Sequence, residues 1–187
     1  KDLTSSTLSA FIKDLGFTDD HKKGSLAIAI IENKHDIIND LTSSTLSAFI
    51  KDLGFTDDHN KGYLAIAIIE KKPEIIKDLT RSTLSAFIKD LDFTDDSSKK
   101  DLAIAIIKKK PEIINDLTSS IALSAFIKDL GFTDDYCKRD LAIAIIENKH
   151  DIIKDFTSST LSNFIVNQLE IAHDSSKKDL AIAIIEK

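Results

Sequence analysis

The chain has 187 residues, a formal net charge of −6, 42% hydrophobic and 30% charged residues. That balance belongs to a folded chain rather than a disordered one, and the negative charge disfavours a purely electrostatic grip on nucleic acid or anionic lipid. No apolar run nears the roughly 20 residues that span a bilayer. The sequence reads without a signal-peptide pattern, and its single cysteine, Cys137, excludes an internal disulfide and fits a reducing, intracellular and cytoplasmic setting.

Taken in chain order, the sequence is one unit written five times. The string Leu-Ala-Ile-Ala-Ile-Ile begins at Leu26, Leu64, Leu102, Leu141 and Leu180, at spacings of 38, 38, 39 and 39 residues. The copies align as 1–38, 39–76, 77–114, 115–153 and 154–187, a single array. Repetition at this period signals a solenoid, in which each unit buries its apolar face on its neighbours.

The first half of each copy predicts an amphipathic helix. In copy one Leu3, Leu8, Phe11, Ile12 and Leu15 fall at three-and-four spacing. Thr4, Ser5 and Ser6 supply hydroxyls to cap its start. Gly16 stands where a left-handed residue ends a helix, as do Gly54 and Gly131, whereas Asp92 and Glu170 occupy that place in copies three and five. The second half opens on Phe-Thr-Asp-Asp. Thr18 is expected as the N-cap, with Asp19 and Asp20 in the positive field of the first turn. The six-residue apolar run follows. Lacking a polar face, it predicts a helix buried on both sides that stops before Pro73 and Pro111, with a short extra turn leading into the next copy. Ile-Ala-Ile-Ala also alternates as a strand would, which would give a parallel α/β array. Flanks of Lys, Glu and Asn and a stretch of helix length favour the helix. The expected fold is all-α: an α-solenoid, a right-handed superhelix of five helical hairpins. One extra residue in copy four, at Ser120-Ile121-Ala122-Leu123, and one in copy five, within Val166–Gln168, are expected at helix ends, where they leave the core register intact.

The copies differ mainly at the start of the second helix. There stand His21, Lys22 and Ser25; His59, Asn60 and Tyr63; Ser97, Ser98 and Asp101; Tyr136, Cys137 and Asp140; and Ser175, Ser176 and Asp179. The outer members of each set are four residues apart and share one helix face. They form a candidate ligand-reading stripe. Among them a lysine never changes, at Lys23, Lys61, Lys99, Lys138 and Lys177, a candidate row of phosphate or carboxylate contacts. The competing reading is that exposed positions drift while buried ones are held.

Chemistry is scarce. His21 and His59 recur in neighbouring copies, but Ser97 and Tyr136 break the series, so no repeated metal site is expected. Asp19-Asp20-His21 is better explained by capping than by acid–base work, and the Ser-rich stretches have no local base. No phosphate loop or dinucleotide fingerprint is present. The chain reads as a non-enzyme without catalytic, metal or cofactor residues.

The segment Leu-Ser-Ala-Phe-Ile-Lys-Asp-Leu-Gly-Phe at Leu8–Phe17, with an acidic turn and an apolar second helix, resembles octotricopeptide-type repeats. That resemblance implies an RNA-binding α-solenoid. Leu53-Gly54-Phe55 and Lys72-Pro73-Glu74-Ile75-Ile76 are similar, more weakly, to repeats of the mitochondrial transcription termination factor family, and the paired variable residues resemble those of transcription-activator-like effectors. Three functions follow as expectations: a scaffold holding a protein partner, favoured by the net charge of −6; a modular RNA or DNA reader, favoured by the resemblance and the lysine row; and end-to-end self-association through uncapped array ends.

Overall fold

The computed structural model describes residues 4–154 and 156–187, and every regular element among them is helical. They form two compact units, Lys1–Ser98 and Lys99–Lys187. Leu3, counted above with the first helix, lies outside the described residues.

The first helices are α1 (Ser5–Asp14), and, by the same rules, α3 (Ser43–Asp52), α5 (Arg81–Asp90), α7 (Ser120–Asp129) and α9 (Ser158–Asn163). Thr4 caps α1 in a reciprocal box. Its backbone N–H donates to Thr7 Oγ1 at 2.7 Å, while its own hydroxyl accepts from the Thr7 N–H at 3.4 Å. Thr42, Thr80 and Thr157 repeat the box on Thr45, Thr83 and Thr160. Gly16, Gly54 and Gly131 take φ of 66°, 64° and 72° after the helices, and Asp92 and Glu170 are forced into the same left-handed region at 55° and 56°.

The second helices are α2 (Asp20–Asn33), α4 (Asp58–Lys71), α6 (Asp96–Lys109), α8 (Asp135–Asn148) and α10 (Asp174–Ile185). Here one expectation is corrected. Asp19, not Thr18, caps α2, its Oδ1 accepting from the N–H groups of His21 at 2.9 Å and Lys22 at 3.3 Å. A carboxylate in that place adds charge to the hydrogen bond at the positive helix end. In copy two the corresponding threonine, Thr56, is engaged elsewhere, as described below. The apolar run is helical rather than extended. Leu64, Ala65, Ile68 and Ile69 are fully buried, but Ile66 and Ala67 are only half-buried, so burial is less complete than the run suggests. A 3-10 turn follows each of the first four, at His35–Ile38, Pro73–Ile76, Pro111–Ile114 and His150–Ile153, seating isoleucines such as Ile75 and Ile76 in the core.

In the first unit α2 lies along α4, while α1 packs on α3 and α3 on α5; in the second, α8 lies along α10. The two extra residues are handled differently. In copy four the cap moves one place, to Ser119, and Leu123 and Phe126 stay buried while Ile121 is exposed. In copy five the residue is taken up inside the helix as a π turn at Phe164–Gln168, closed by Leu169 N–H donating to Phe164 O at 2.9 Å. Closing a ring one residue wider absorbs the insertion without the rotation of about 100° that an α-helical continuation would impose. Leu169 therefore returns to the core.

The left-handed position allows a paired test. A Cβ on Gly54 would meet nothing within 4 Å, so Gly54→Ala should cost about 1 kcal/mol through backbone strain alone. Asp92→Gly should raise stability by a similar amount. Urea unfolding midpoints of the two variants, moving in opposite directions, check this.

Candidate functional site

The Phe-Thr-Asp-Asp turn carries two carboxylates with separate duties. The first caps its own helix; the second reaches the next copy. Asp20 Oδ2 accepts from the N–H of Thr56 at 2.6 Å, the hydroxyl of Thr56 at 2.7 Å and the N–H of Asp57 at 2.9 Å. Asp58 does the same one copy on, accepting from the N–H and hydroxyl of Thr94 and from the Asp95 N–H. In the second unit Asp135 accepts from the N–H groups of Ala172 and His173, both at 2.8 Å.

The invariant lysine completes this clamp. Lys23 Nζ lies 2.9 Å from Asp20 and 2.9 Å from Gly54 O, over the Phe55 ring. Lys61 Nζ is 2.9 Å from Asp58 and 3.3 Å from Asp92 O, and Lys138 Nζ is 3.5 Å from Asp135. Their side chains keep only 11%, 14% and 14% of their surface exposed, which leaves little ammonium for an outside anion. Lys99 is half-buried and partnered, and Lys177 pairs with the exposed Asp174 at 3.0 Å. Burial by itself would push the Asp20 carboxyl up; Lys23, Thr56 and the Asp57 N–H overcome that and hold it at about 2. Asp58 and Asp135 are likewise held below the usual carboxylate range, burial again opposed, by Thr94, Lys61 and the Asp95 N–H in one case and by the His173 and Ala172 N–H groups and Lys138 in the other.

A second lysine series does related work. Lys72 Nζ donates to Asn39 O at 2.6 Å, and Lys149 Nζ to Asn115 O at 2.7 Å, each serving the end of the preceding 3-10 turn. The first series was visible as a candidate contact row, and the signal for its inward pairing is an invariant Asp three residues before each lysine, which helical spacing brings together. The second series, Lys72 and Lys149, has no such aspartate before it and is missed by a search for chemistry.

The variable stripe divides between the units. In the second, Lys100 lies 3.2 Å from Asp101 and 3.5 Å from Asp140; Arg139 bonds Asp140 at 2.7 Å and Asp179 at 3.0 Å and stacks on Tyr136. Tyr136 Oη in turn lies 3.3 Å from Ser175 Oγ. The stripe there is satisfied by its own side chains. Cys137 and Ser176 are buried between helices rather than presented, as is Ser98 in the first unit; Ser97 is exposed.

In the first unit Gly24 and Gly62 stand where copies three and four carry Lys100 and Arg139, and Ser25 and Tyr63 where they carry Asp101 and Asp140. A cavity of about 340 Å³ results, lined by His21, Gly24, Ser25 and Ile28 of α2 and His59, Asn60 and Tyr63 of α4. His59 and Tyr63 meet edge to face with ring centroids 4.4 Å apart. Asn60 Nδ2 donates to Asp57 Oδ2 at 2.5 Å, while Lys22 is exposed beside Asp19. The structure thus gathers His21, Ser25, His59, Asn60 and Tyr63, adds Gly24 and Ile28, and leaves the lysines out. Among the described residues no three His, Cys, Asp or Glu side chains converge as a metal site would need, and no helix is long and apolar enough to cross a membrane. Comparison with protein-family models, with curated proteins and with solved structures returned no match.

The clamp predicts acid sensitivity. Asp20 titrates at about 2 folded and about 3.9 unfolded, so it contributes about 2 kcal/mol. Because the folded value is depressed, that stability is present above about pH 4 and is lost as pH falls through 2. Asp20→Asn should cost about 2 kcal/mol at pH 7 by weakening charged hydrogen bonds, and much less near pH 2. Denaturant midpoints at the two pH values measure the difference.

Proposed function

We propose that this chain is a non-enzymatic repeat scaffold, a right-handed superhelical stack of five helical hairpins, that recognises a protein partner. The observation that carries the reading is the inward commitment of Lys23, Lys61 and Lys138. Nucleic-acid affinity rests mainly on phosphates neutralised by basic side chains, and these amines are held by aspartates on a chain of net charge −6. The stacked reading is supported by the five-fold sequence period and by second helices of successive copies lying side by side within each unit. The open part of the stripe, between α2 and α4, is neutral and ring-lined, a character suited to protein side chains.

Titration with random RNA, single-stranded DNA and duplex DNA at about 50 and 200 mM salt tests the choice. The expected result is weak binding with little salt dependence, unchanged in Lys61→Ala. Tight binding that falls steeply with salt, and weakens further in that variant, would favour the octotricopeptide-like reading instead. On the positive side, peptides selected from a random library should lose affinity for Tyr63→Ser.

A second reading, self-association, is favoured by Phe11 and Leu15. They are 43% and 47% exposed, whereas their counterparts Phe49 and Leu53 are 5% and 1%. Sedimentation should show a concentration-dependent mass for the parent chain and a monomer for Phe11→Lys combined with Leu15→Lys.

A further inference from the structure

The stripe is occupied in one unit and open in the other, and the occupied half shows what the position accepts. In copy four the planar guanidinium of Arg139 lies over the Tyr136 ring, 5.1 Å from its centroid. Copies one and two put glycine at that residue, and Gly24 of copy one lines the cavity between α2 and α4.

We infer that this cavity is a pocket for the indole ring of a tryptophan presented by a partner polypeptide. The inference rests on the reading of the chain as a protein-recognising scaffold and names the group that is bound. Four features select a neutral ring that carries an N–H. No acid, lysine or arginine lines the cavity, and the aspartates that hold Arg139 in copy four have no counterpart in its lining. His59 and Tyr63 present ring edges and faces at 80° to one another, which gives an inserted ring both stacked and edge-to-face neighbours. Ile28 and the bare Cα of Gly24 add apolar lining. Asn60 supplies the polar contact: its amide nitrogen is committed to Asp57, and its Oδ1 stands 3.4 Å from where a Gly24 Cβ would lie, an acceptor in the lining for the indole N–H. The volume of about 340 Å³ is at the small end of ligand pockets and suits one bicyclic ring. A nucleobase shares the ring but brings a phosphate, and the carboxylates flanking the cavity, Asp19 and Asp57, oppose it; the exposed Lys22 beside them is 4.0 Å from Asp19.

Histidine-labelled protein titrated with indole, with N-acetyl-tryptophanamide and with adenosine monophosphate tests this by proton–carbon correlation. The chain's other histidines, His35, His150 and His173, serve as internal controls. The ring signals of His21 and His59 should shift saturably with the two indoles, with a Kd on the order of 1 mM for so small a ligand, while the controls stay still. Gly24→Arg places a copy-four-type side chain into the cavity from its own wall, and a Cβ there has ordinary room, 3.4 Å from Asn60 Oδ1. It should weaken indole binding about tenfold or more without lowering the melting temperature. Tyr63→Asp, the residue copy three carries at that place, is the second variant and should act in the same direction. Unmoved His21 and His59, or shifts that persist in both variants, would overturn the pocket, as would tighter binding of the nucleotide than of indole. Those outcomes leave the scaffold reading standing if selected peptides bind elsewhere; salt-dependent RNA binding would remove that reading separately.

Discussion

A carboxylate at the start of α2, of α4 and of α8 faces a problem that its neighbour solves. Asp20 sits where burial disfavours charge, yet it receives two backbone N–H groups and a hydroxyl from the turn of the following copy, together with its own lysine. Those N–H groups belong to a turn that would otherwise leave donors unsatisfied. Copy one therefore completes the turn of copy two, and the arrangement recurs within each unit at Asp58 and Asp135. Hydrophobic burial supplies most of the driving force, but it is non-directional. The clamp supplies register, because a shift of even one residue would separate charge from donors.

Within that register the apolar run is used selectively. The first alanine of the first four runs, Ala27, Ala65, Ala103 and Ala142, is fully buried, where a small side chain lets helices approach. In copy two the middle of the run, Ile66 and Ala67, lies nearer the surface, and Ile68 and Ile69 return to the core. Irregularities are confined to places where they leave packing alone: a displaced cap before α7 and a π turn after α9. Both devices keep leucines and phenylalanines of the first helices on the buried face.

Variation among copies then has two consequences. Where Lys100, Arg139 and the aspartates around them appear, the outer face is bound up in ion pairs that link successive helices. Where glycine, serine and tyrosine replace them, the same face opens into a ring-lined cavity. Position in the repeat is constant; occupancy is what changes. The functional proposals rest on that contrast between units, each taken by itself, and on lysines whose partners lie within the fold.

The sequence by itself determined the helices. Their limits are written in local signals, in hydroxyls at the starts, glycines at the ends and prolines beyond, and these act within a few residues of where they stand. Even the strained left-handed residues at Asp92 and Glu170 were legible by alignment with Gly16. Asp19 rather than Thr18 caps α2, a choice the sequence leaves open because two suitable side chains stand in succession. The stripe was legible as a set of variable positions, but not its division into buried Ser98, Cys137 and Ser176, self-paired Asp140 and Asp179, and the open set around Tyr63. Nor was the direction of the lysines. Lys23 meets a carboxylate three residues back and a carbonyl 31 residues on, and only the second contact shows that it points inward. Tertiary structure decided these matters because a long flexible side chain takes its direction from partners that are distant in sequence, whereas a helix end takes its form from neighbours along the chain.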